Sequence, residues 1–219
     1  MQPFGQLEGI AAPLPLDNVD TDSIIPSRET QSVSRSGYGE KLFANWRYTS
    51  DTRAPNPDFV LNRAPFDHAC TLVAGHNFGC GSSREAAVWA LAQFGIRCVI
   101  ASSFGTIFRN NCIRNGLLPV TLAPPLLEVL LVQLQEPGGS PRVAVDLQAL
   151  QVRFPQGQTH AFALGLLERE MLLHGLDEIE LTLRKRATIE EFRRHDQTRR
   201  PWLYHQPTIA DRAAVNPPD

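Results

Sequence analysis

Along the 219 residues, apolar positions fall into short runs divided by glycine and proline, and their period switches between strand and helix. Residues 4–12 read as a first strand, ended by Pro13 and Pro15. Residues 28–55 are polar and loop-like, and Pro55-Asn56-Pro57-Asp58 turns the chain toward its central part. Residues 70–74 are an apolar run that predicts a short buried strand. A turn carrying Gly75, Gly79 and Gly81 follows. Ser82 and Ser83 then open a helix, whose Ala87, Val88, Leu91 and Phe94 recur at helical spacing down to Gly95. Residues 97–102 read as a second buried strand, 105–115 as a helix ended by Gly116, and 117–122 as a third strand. That alternation predicts parallel strand–helix–strand crossovers. Pro124-Pro125 opens a leucine-rich helix that stops at Gly138-Gly139. From 142 to 164 the pattern Val143-x-Val145-x-Leu147, Val152-x-Phe154 and His160-x-Phe162 alternates around a Pro155-Gln156-Gly157 turn, which predicts a β-meander. A helix over 165–174 is capped by Gly175, a short strand occupies 179–183, and a basic helix runs over 187–195. Residues 197–219 hold four prolines and no periodicity. The pattern is one α/β domain over 1–196 and a Pro-rich tail over 197–219.

The chemistry concentrates at the glycine turn. Gly79 and Gly81 let the backbone take positive φ and approach a ligand closely. A helix opening there presents free N–H groups and the positive dipole end to an anion. Arg84 in the first turn opposes that dipole unless a negative group faces it, and its planar fork suits a carboxylate or phosphate. Ser82 and Glu85 also fit a capping box, so a plain cap and an anion site both stand. Gly79-Cys80-Gly81-Ser82-Ser83-Arg84 departs from the dinucleotide fingerprint at its last position, and no Lys-Ser/Thr pair makes a P-loop. Asp17, Asp20 and Asp22 cluster in one polar turn; a hard cation is one reading, turn and cap bonding the other. Arg35 sits among Ser34, Ser36, Gly37 and Gly39, a composition suited to a lid. Asn110 and Asn111, mid-helix, read as hydrogen-bonded within the core. His160 reads as a surface strand residue, and His174 sits where a helix dipole favours it.

Composition narrows the class. A 42% hydrophobic chain of this length buries a real core. Its net charge of −2, with basic residues clustered only at 184–186 and 193–194, gives nucleic-acid binding little support. No apolar run reaches the roughly 20 residues that span a bilayer, and the first residues lack the basic and apolar segments of a secretory leader, so the expected compartment is the cytoplasm. Cys70, Cys80, Cys98 and Cys112 form no Cys-x-x-Cys pair, which fits reduced thiols and not an iron–sulfur ligand set.

Asn77-Phe-Gly-Cys-Gly-Ser-Ser-Arg-Glu85 resembles the active-site signature of the aconitase superfamily's swivelling domain, and most closely that of the 3-isopropylmalate dehydratase small-subunit family. Leu16 through Pro26, Ser34 through Arg47, and Val99 through Pro119 agree with that family in order and spacing, so the resemblance covers roughly residues 4 to 205. It implies a three-layer β/β/α sandwich with a largely parallel central sheet and an appended meander. It also implies a hydro-lyase subunit that isomerises 2- and 3-isopropylmalate by dehydration and rehydration in leucine biosynthesis. The partner would be a large subunit carrying a [4Fe-4S] cluster, in a hetero-oligomer, with no metal held by this chain and no turnover by this chain alone. By carry-over, Ser82 is the base, Ser83 and Arg84 bind the substrate carboxylate, and Arg35 contacts the substrate's side group. Asp20 or Asp22 orients an arginine, with Gly79, Gly81 and Glu85 in support. Ala86 and Val88 replace the family's histidine and proline. A related hydroxy-diacid of citraconate, methylmalate or homoaconitate type therefore stays open as substrate. So do a stand-alone anion or nucleotide module and a cysteine enzyme built on Cys80 and His76.

Overall fold

The computed structural model describes residues 1–30, 36–49 and 52–204. Contacts group the chain into two compact units, 1–177 and 178–219, so the division falls earlier than the 196/197 boundary suggested by the sequence. The first unit holds β1 (Gln6–Leu14), the one-turn helices α1 (Thr21–Ile24) and α2 (Ala44–Arg47), β2 (Thr71–Ala74) and α3 (Glu85–Phe94). There follow β3 (Cys98–Ala101), α4 (Thr106–Asn115), β4 (Leu118–Thr121), α5 (Pro124–Gln135), β5 (Arg142–Asp146), β6 (Gln151–Arg153), β7 (Thr159–Ala161) and α6 (Leu166–His174).

The strands make one seven-stranded sheet in the order β4-β3-β2-β1-β5-β6-β7. β4, β3, β2 and the second half of β1 are parallel, and β5 to β7 form the antiparallel meander. β1 joins the two halves. Its residues 6–10 pair antiparallel with β5, and its residues 11–14 pair parallel with β2. The strand therefore runs on through Pro13, where the sequence suggested a stop. The Ala11 N–H turns away from β2 and donates to the Pro141 carbonyl at 2.8 Å. Pro13, two residues on, has its nitrogen on that same side, beyond the last residue of β1 paired with β5, so no ladder bond is lost.

β2 and β3 are buried along their whole length, as parallel strands covered on both faces must be. One face carries Ala12, Leu14, Leu72, Ala74, Val99 and Ala101 into a core completed by Ala87, Val88 and Leu91 of α3, Phe108 and Cys112 of α4, and Ile24, Ile25, Leu42 and Phe43. The last four show that the polar 28–55 stretch and its approach still supply core residues. The opposite face, with Ala11, Val73, Ile100 and Val120, is equally sealed from water. Burial pushes the Cys98 and Cys112 thiols up, and all four cysteines are free.

Two helix contacts bear on the site. Glu168 of α6 takes a two-pronged pair from Arg109 of α4, with Nη2 to Oε2 at 2.8 Å, and also accepts the Gly165 N–H at 3.1 Å. Arg109 holds the Glu168 carboxyl below its ordinary range. Asn110 is exposed and Asn111 half-buried. Neither amide has a side-chain partner among the described residues, contrary to the expected core bonding. The residue that makes such bonds is Asn115, which accepts from Trp89 Nε1 at 3.1 Å and donates to Glu85 Oε1 at 2.9 Å. His160 lies half-buried with its ring 4.4 Å from that of Phe154, a packing role.

In the second unit, α7 (Glu178–Leu183) replaces the strand expected over 179–183, and α8 (Arg186–Arg199) follows. The segment pairs with no strand of the sheet, and the helix satisfies its N–H and C=O groups internally. Thr182 closes the turn by donating to the Glu178 carbonyl at 2.9 Å. Among the described residues no helix is long and apolar enough to cross a membrane.

Candidate functional site

Residues 16–25 and the glycine turn 75–82 lie side by side and are stitched by backbone bonds. Gly75 donates to the Leu16 carbonyl at 3.1 Å, Asn18 to His76 at 2.8 Å, Gly79 to Val19 at 2.7 Å and Thr21 to Cys80 at 3.0 Å. The acidic cluster is used up in this stitching. Asp17 accepts the His76 N–H at 2.6 Å, and Asp20 caps α1 by accepting the Ser23 N–H at 2.7 Å. Among the described residues no group of three or more His, Cys, Asp or Glu could hold a metal ion. The turn-and-cap reading fits Asp17 and Asp20; Asp22 pairs with Arg84 instead.

The helix after the turn starts later than the sequence suggests. α3 begins at Glu85 with Arg84 in an extended conformation at its N-cap, and no side chain caps it. Ser82 and Ser83 precede the helix, so the capping box from Ser82 to Glu85 does not form. Gly79 and Gly81 at φ +72° and +85° redirect the chain, and the Thr21 hydroxyl holds the Ser82 carbonyl at 2.7 Å, which keeps both serines out of helical geometry. Glu85 instead faces Asn115.

That leaves the two serines open. Among the described residues, neither the hydroxyl nor the N–H of Ser82 or Ser83 has a hydrogen-bond partner, and both residues are exposed. They line a hollow of about 340 Å³ whose other walls are Thr21, Asn77, Cys80 and the segment from Phe104 to Phe108. That segment contains the start of α4, where Gly105 at the N-cap offers no side chain to cover the first N–H groups. Helix donors thus reach the hollow from α4 and not, as expected, from α3.

Arg84 stands beside the serines. Asp22 grips it at both terminal nitrogens, with Nη2 to Oδ2 at 2.7 Å, and Nη1 also donates to the Ile25 carbonyl at 3.3 Å. Of the two aspartates proposed to orient an arginine, Asp22 does so. Its negative charge also answers the dipole conflict at the start of α3, which therefore needs no ligand to resolve it. The edge of the guanidinium formed by Nε and the outer Nη2 hydrogen has no partner among the described residues, so it is free to take a second carboxylate side-on. The Arg84 hydrogen bond holds the Asp22 carboxyl below its ordinary value of 3.8. A depressed carboxyl stabilises the fold above its unfolded value and loses that contribution as pH falls through the folded one. Asp22 should therefore titrate below 3.8 by NMR and move up toward it in Arg84→Gln; an unchanged midpoint would show that the pair does not persist in solution.

Gly79 shows how tightly the turn is built. A methyl there would run into the Phe108 ring, at a φ that disfavours any side chain. Gly79→Ala is expected to cost about 2–5 kcal/mol, from left-handed backbone strain and overpacking together, read as a lowered unfolding midpoint. Gly81→Ala meets only ordinary contacts, the nearest being the Asp20 Cβ at 3.6 Å, and is expected to cost only the smaller strain share.

Of the residues singled out from sequence, Ser82, Ser83, Gly79 and Gly81 line the hollow; Arg84 follows Ser83 in the chain, Asp20 and Asp22 flank Thr21, and neither these three nor Glu85 form its wall. Arg35 lies outside the described residues. Thr21, Asn77 and Thr106 also line it and were not singled out. Thr21 sits between the two flagged aspartates, and Thr106 follows a glycine at a helix start, which are the signals that point to them. Cys80 and His76 do not pair: the thiol donates to the Asn18 carbonyl at 3.5 Å and His76 Nδ1 meets Ser103 Oγ at 2.8 Å. A larger hollow of about 900 Å³, between Pro13–Leu16, Trp46, Phe59–Phe66 and the 134–141 segment, is walled mainly by apolar side chains and lacks such a cluster of open donors. Val88 is fully buried, and Ala86 packs half-buried against the core.

Residues 1–125 match the aconitase C-terminal domain family. The chain is 51% identical over 205 residues to the 3-isopropylmalate dehydratase small subunit of Cupriavidus necator, covering 93% of this chain and 99% of that protein. It is 48% identical over 203 residues to the protein of the same name from Cereibacter sphaeroides strain KD131, covering 93% and 100%. Among solved structures, that of 3-isopropylmalate dehydratase (leuD) from Methanocaldococcus jannaschii aligns with a TM-score of 0.60 at 30% identity, covering 86% of this chain and 99% of that one.

Proposed function

The chain belongs to the 3-isopropylmalate dehydratase small-subunit family, within the aconitase superfamily, and from that premise we propose how its residues share the work of the hydro-lyase. Interconverting 2- and 3-isopropylmalate removes a C–H proton next to a carboxylate and a hydroxyl from the neighbouring carbon, then returns water the other way round. In this reading Ser82 takes and returns the proton. Ser83 and the open edge of Arg84 hold the adjacent carboxylate, and Asp22 keeps Arg84 in place. Support comes from one observation: two serines with unpartnered hydroxyls and N–H groups flank a hollow beside an arginine whose fork is half free.

A serine hydroxyl ionises far above neutral pH, so it acts as a base only where its alkoxide is stabilised. The donors available are the Ser82 and Ser83 N–H groups, the uncapped start of α4 and the Arg84 charge, arranged before substrate arrives, which is the condition under which such donors stabilise charge most. A [4Fe-4S] cluster on the large subunit would act as a Lewis acid on the departing hydroxyl. The hollow is open on this chain, and the large subunit would close it.

Reconstitution tests the reading. This chain mixed with a cluster-loaded large subunit should turn over 2-isopropylmalate, while neither component does so alone. A panel with citraconate-, methylmalate- and homoaconitate-type diacids reads what Ala86 does to preference. Turnover by this chain alone, or an intact complex that acts on no diacid, would overturn the proposal.

A further inference from the structure

We propose that Thr21 is a positioning residue for Ser82, acting through the peptide that joins Ser82 to Ser83; this rests on the reading of Ser82 as the base. Thr21 is only 2% exposed, yet it opens the one-turn helix α1 next to a run of aspartates and forms part of the wall of the hollow. It grips the glycine turn at two points. Its N–H donates to the Cys80 carbonyl at 3.0 Å and its hydroxyl donates to the Ser82 carbonyl at 2.7 Å.

The two grips straddle Gly81, the loosest link in the segment. Gly81 sits at φ +85°, and a Cβ built on it would find nothing nearer than the Asp20 Cβ at 3.6 Å. Packing does not hold this residue, so the direction of the peptides after it depends on hydrogen bonds. A trans peptide is planar, with its N–H opposite its C=O. Fixing the Ser82 carbonyl on Thr21 therefore aims the Ser83 N–H the other way and sets the frame from which the Ser82 side chain projects. That N–H has no partner within the described chain, which leaves it available to a ligand.

A buried threonine hydroxyl needs an acceptor in any protein, so the test must separate orientation from packing. Thr21→Val keeps the shape and removes the hydroxyl; Thr21→Ser keeps the hydroxyl. Both are assayed in the reconstituted complex, alone and combined with Ser82→Ala. We expect Thr21→Val to lower kcat by about 10- to 100-fold, the scale of a misplaced reacting group, with KM little changed. Thr21→Ser should restore most of it, and Thr21→Val should cost nothing further once Ser82 is alanine. In the free chain, amide exchange across 79–84 should quicken in Thr21→Val and not in Thr21→Ser. Wild-type kcat in Thr21→Val, with Ser82→Ala inactive, overturns the positioning role and leaves the base reading standing. Equal losses in the valine and serine variants, or a valine loss that persists in the Ser82→Ala background, overturn it too, because packing then explains the effect. Wild-type turnover in Ser82→Ala overturns both readings.

Discussion

Ser82→Ala in the reconstituted enzyme is expected to lower kcat by about 10²–10⁴-fold, the usual contribution of a positioned proton-transfer group, while KM changes little. The split follows from the geometry. Carboxylate binding is assigned to Ser83 and Arg84, and Ser82 is left for the proton. The substitution itself is mild: Ser82 is exposed, its hydroxyl bonds nothing within the described chain, and its carbonyl still receives the Thr21 hydroxyl. Folding and assembly should therefore survive, so a loss of turnover can be read as chemistry. Exchange of the substrate C–H proton with solvent deuterium should fall in parallel. A variant that keeps wild-type kcat would remove Ser82 from the mechanism.

Arg84→Lys should fail nearly as completely, although it keeps the charge. Asp22 holds the guanidinium on its Nη1–Nη2 edge, and in the proposed function the substrate carboxylate takes the Nε–Nη2 edge. An ammonium has three donors and no flat fork, so it can satisfy one of them well or both poorly. Losing one or two charge-assisted bonds of about 1.5–3 kcal/mol each corresponds to a fall of roughly 10- to 10⁴-fold in kcat/KM. The loss should appear largely in KM, in contrast to Ser82→Ala. Asp22→Asn should have a smaller effect, because Arg84 keeps the Ile25 carbonyl as a partner. Retention of wild-type kcat/KM by the lysine variant would show that no fork is needed there.

The sequence told much of this, and its failures are local. The periods of the apolar residues located β2, β3, β4 and the meander because those strands are buried on a regular schedule. The signature around Ser82 marked the turn that walls the candidate hollow because glycine turns leave a compositional trace. The start of α3 was misplaced because the bond that prevents Ser82 from capping comes from Thr21, 61 residues away, and local spacing carries no record of it. The 179–183 strand failed for a related reason. Alternating Ile179, Leu181 and Leu183 suits a strand, but a strand requires a pairing partner, which local alternation does not record, and the segment is helical. Pro13 misled in the opposite direction, since the rule that proline ends strands assumes a partner on the side that its nitrogen faces. The contribution of α4 to the hollow depends on how Phe104–Phe108 packs against Gly79, a contact of tertiary origin.

The double pairing of β1 has a consequence for how the protein is made. Gln6 and Asp146, bonded in the finished sheet, are 140 residues apart in the chain. At the usual pace of about 5–20 residues per second, the first half of β1 leaves the ribosome roughly 7–28 seconds before its β5 partner exists. Its second half finds β2 much sooner, being separated by 60 residues at the Ala11–Thr71 pair. For the interval between, one strand is half folded, with a bare edge of unsatisfied N–H and C=O groups. Chaperone engagement, and the hazard of association between nascent chains, should concentrate on that edge.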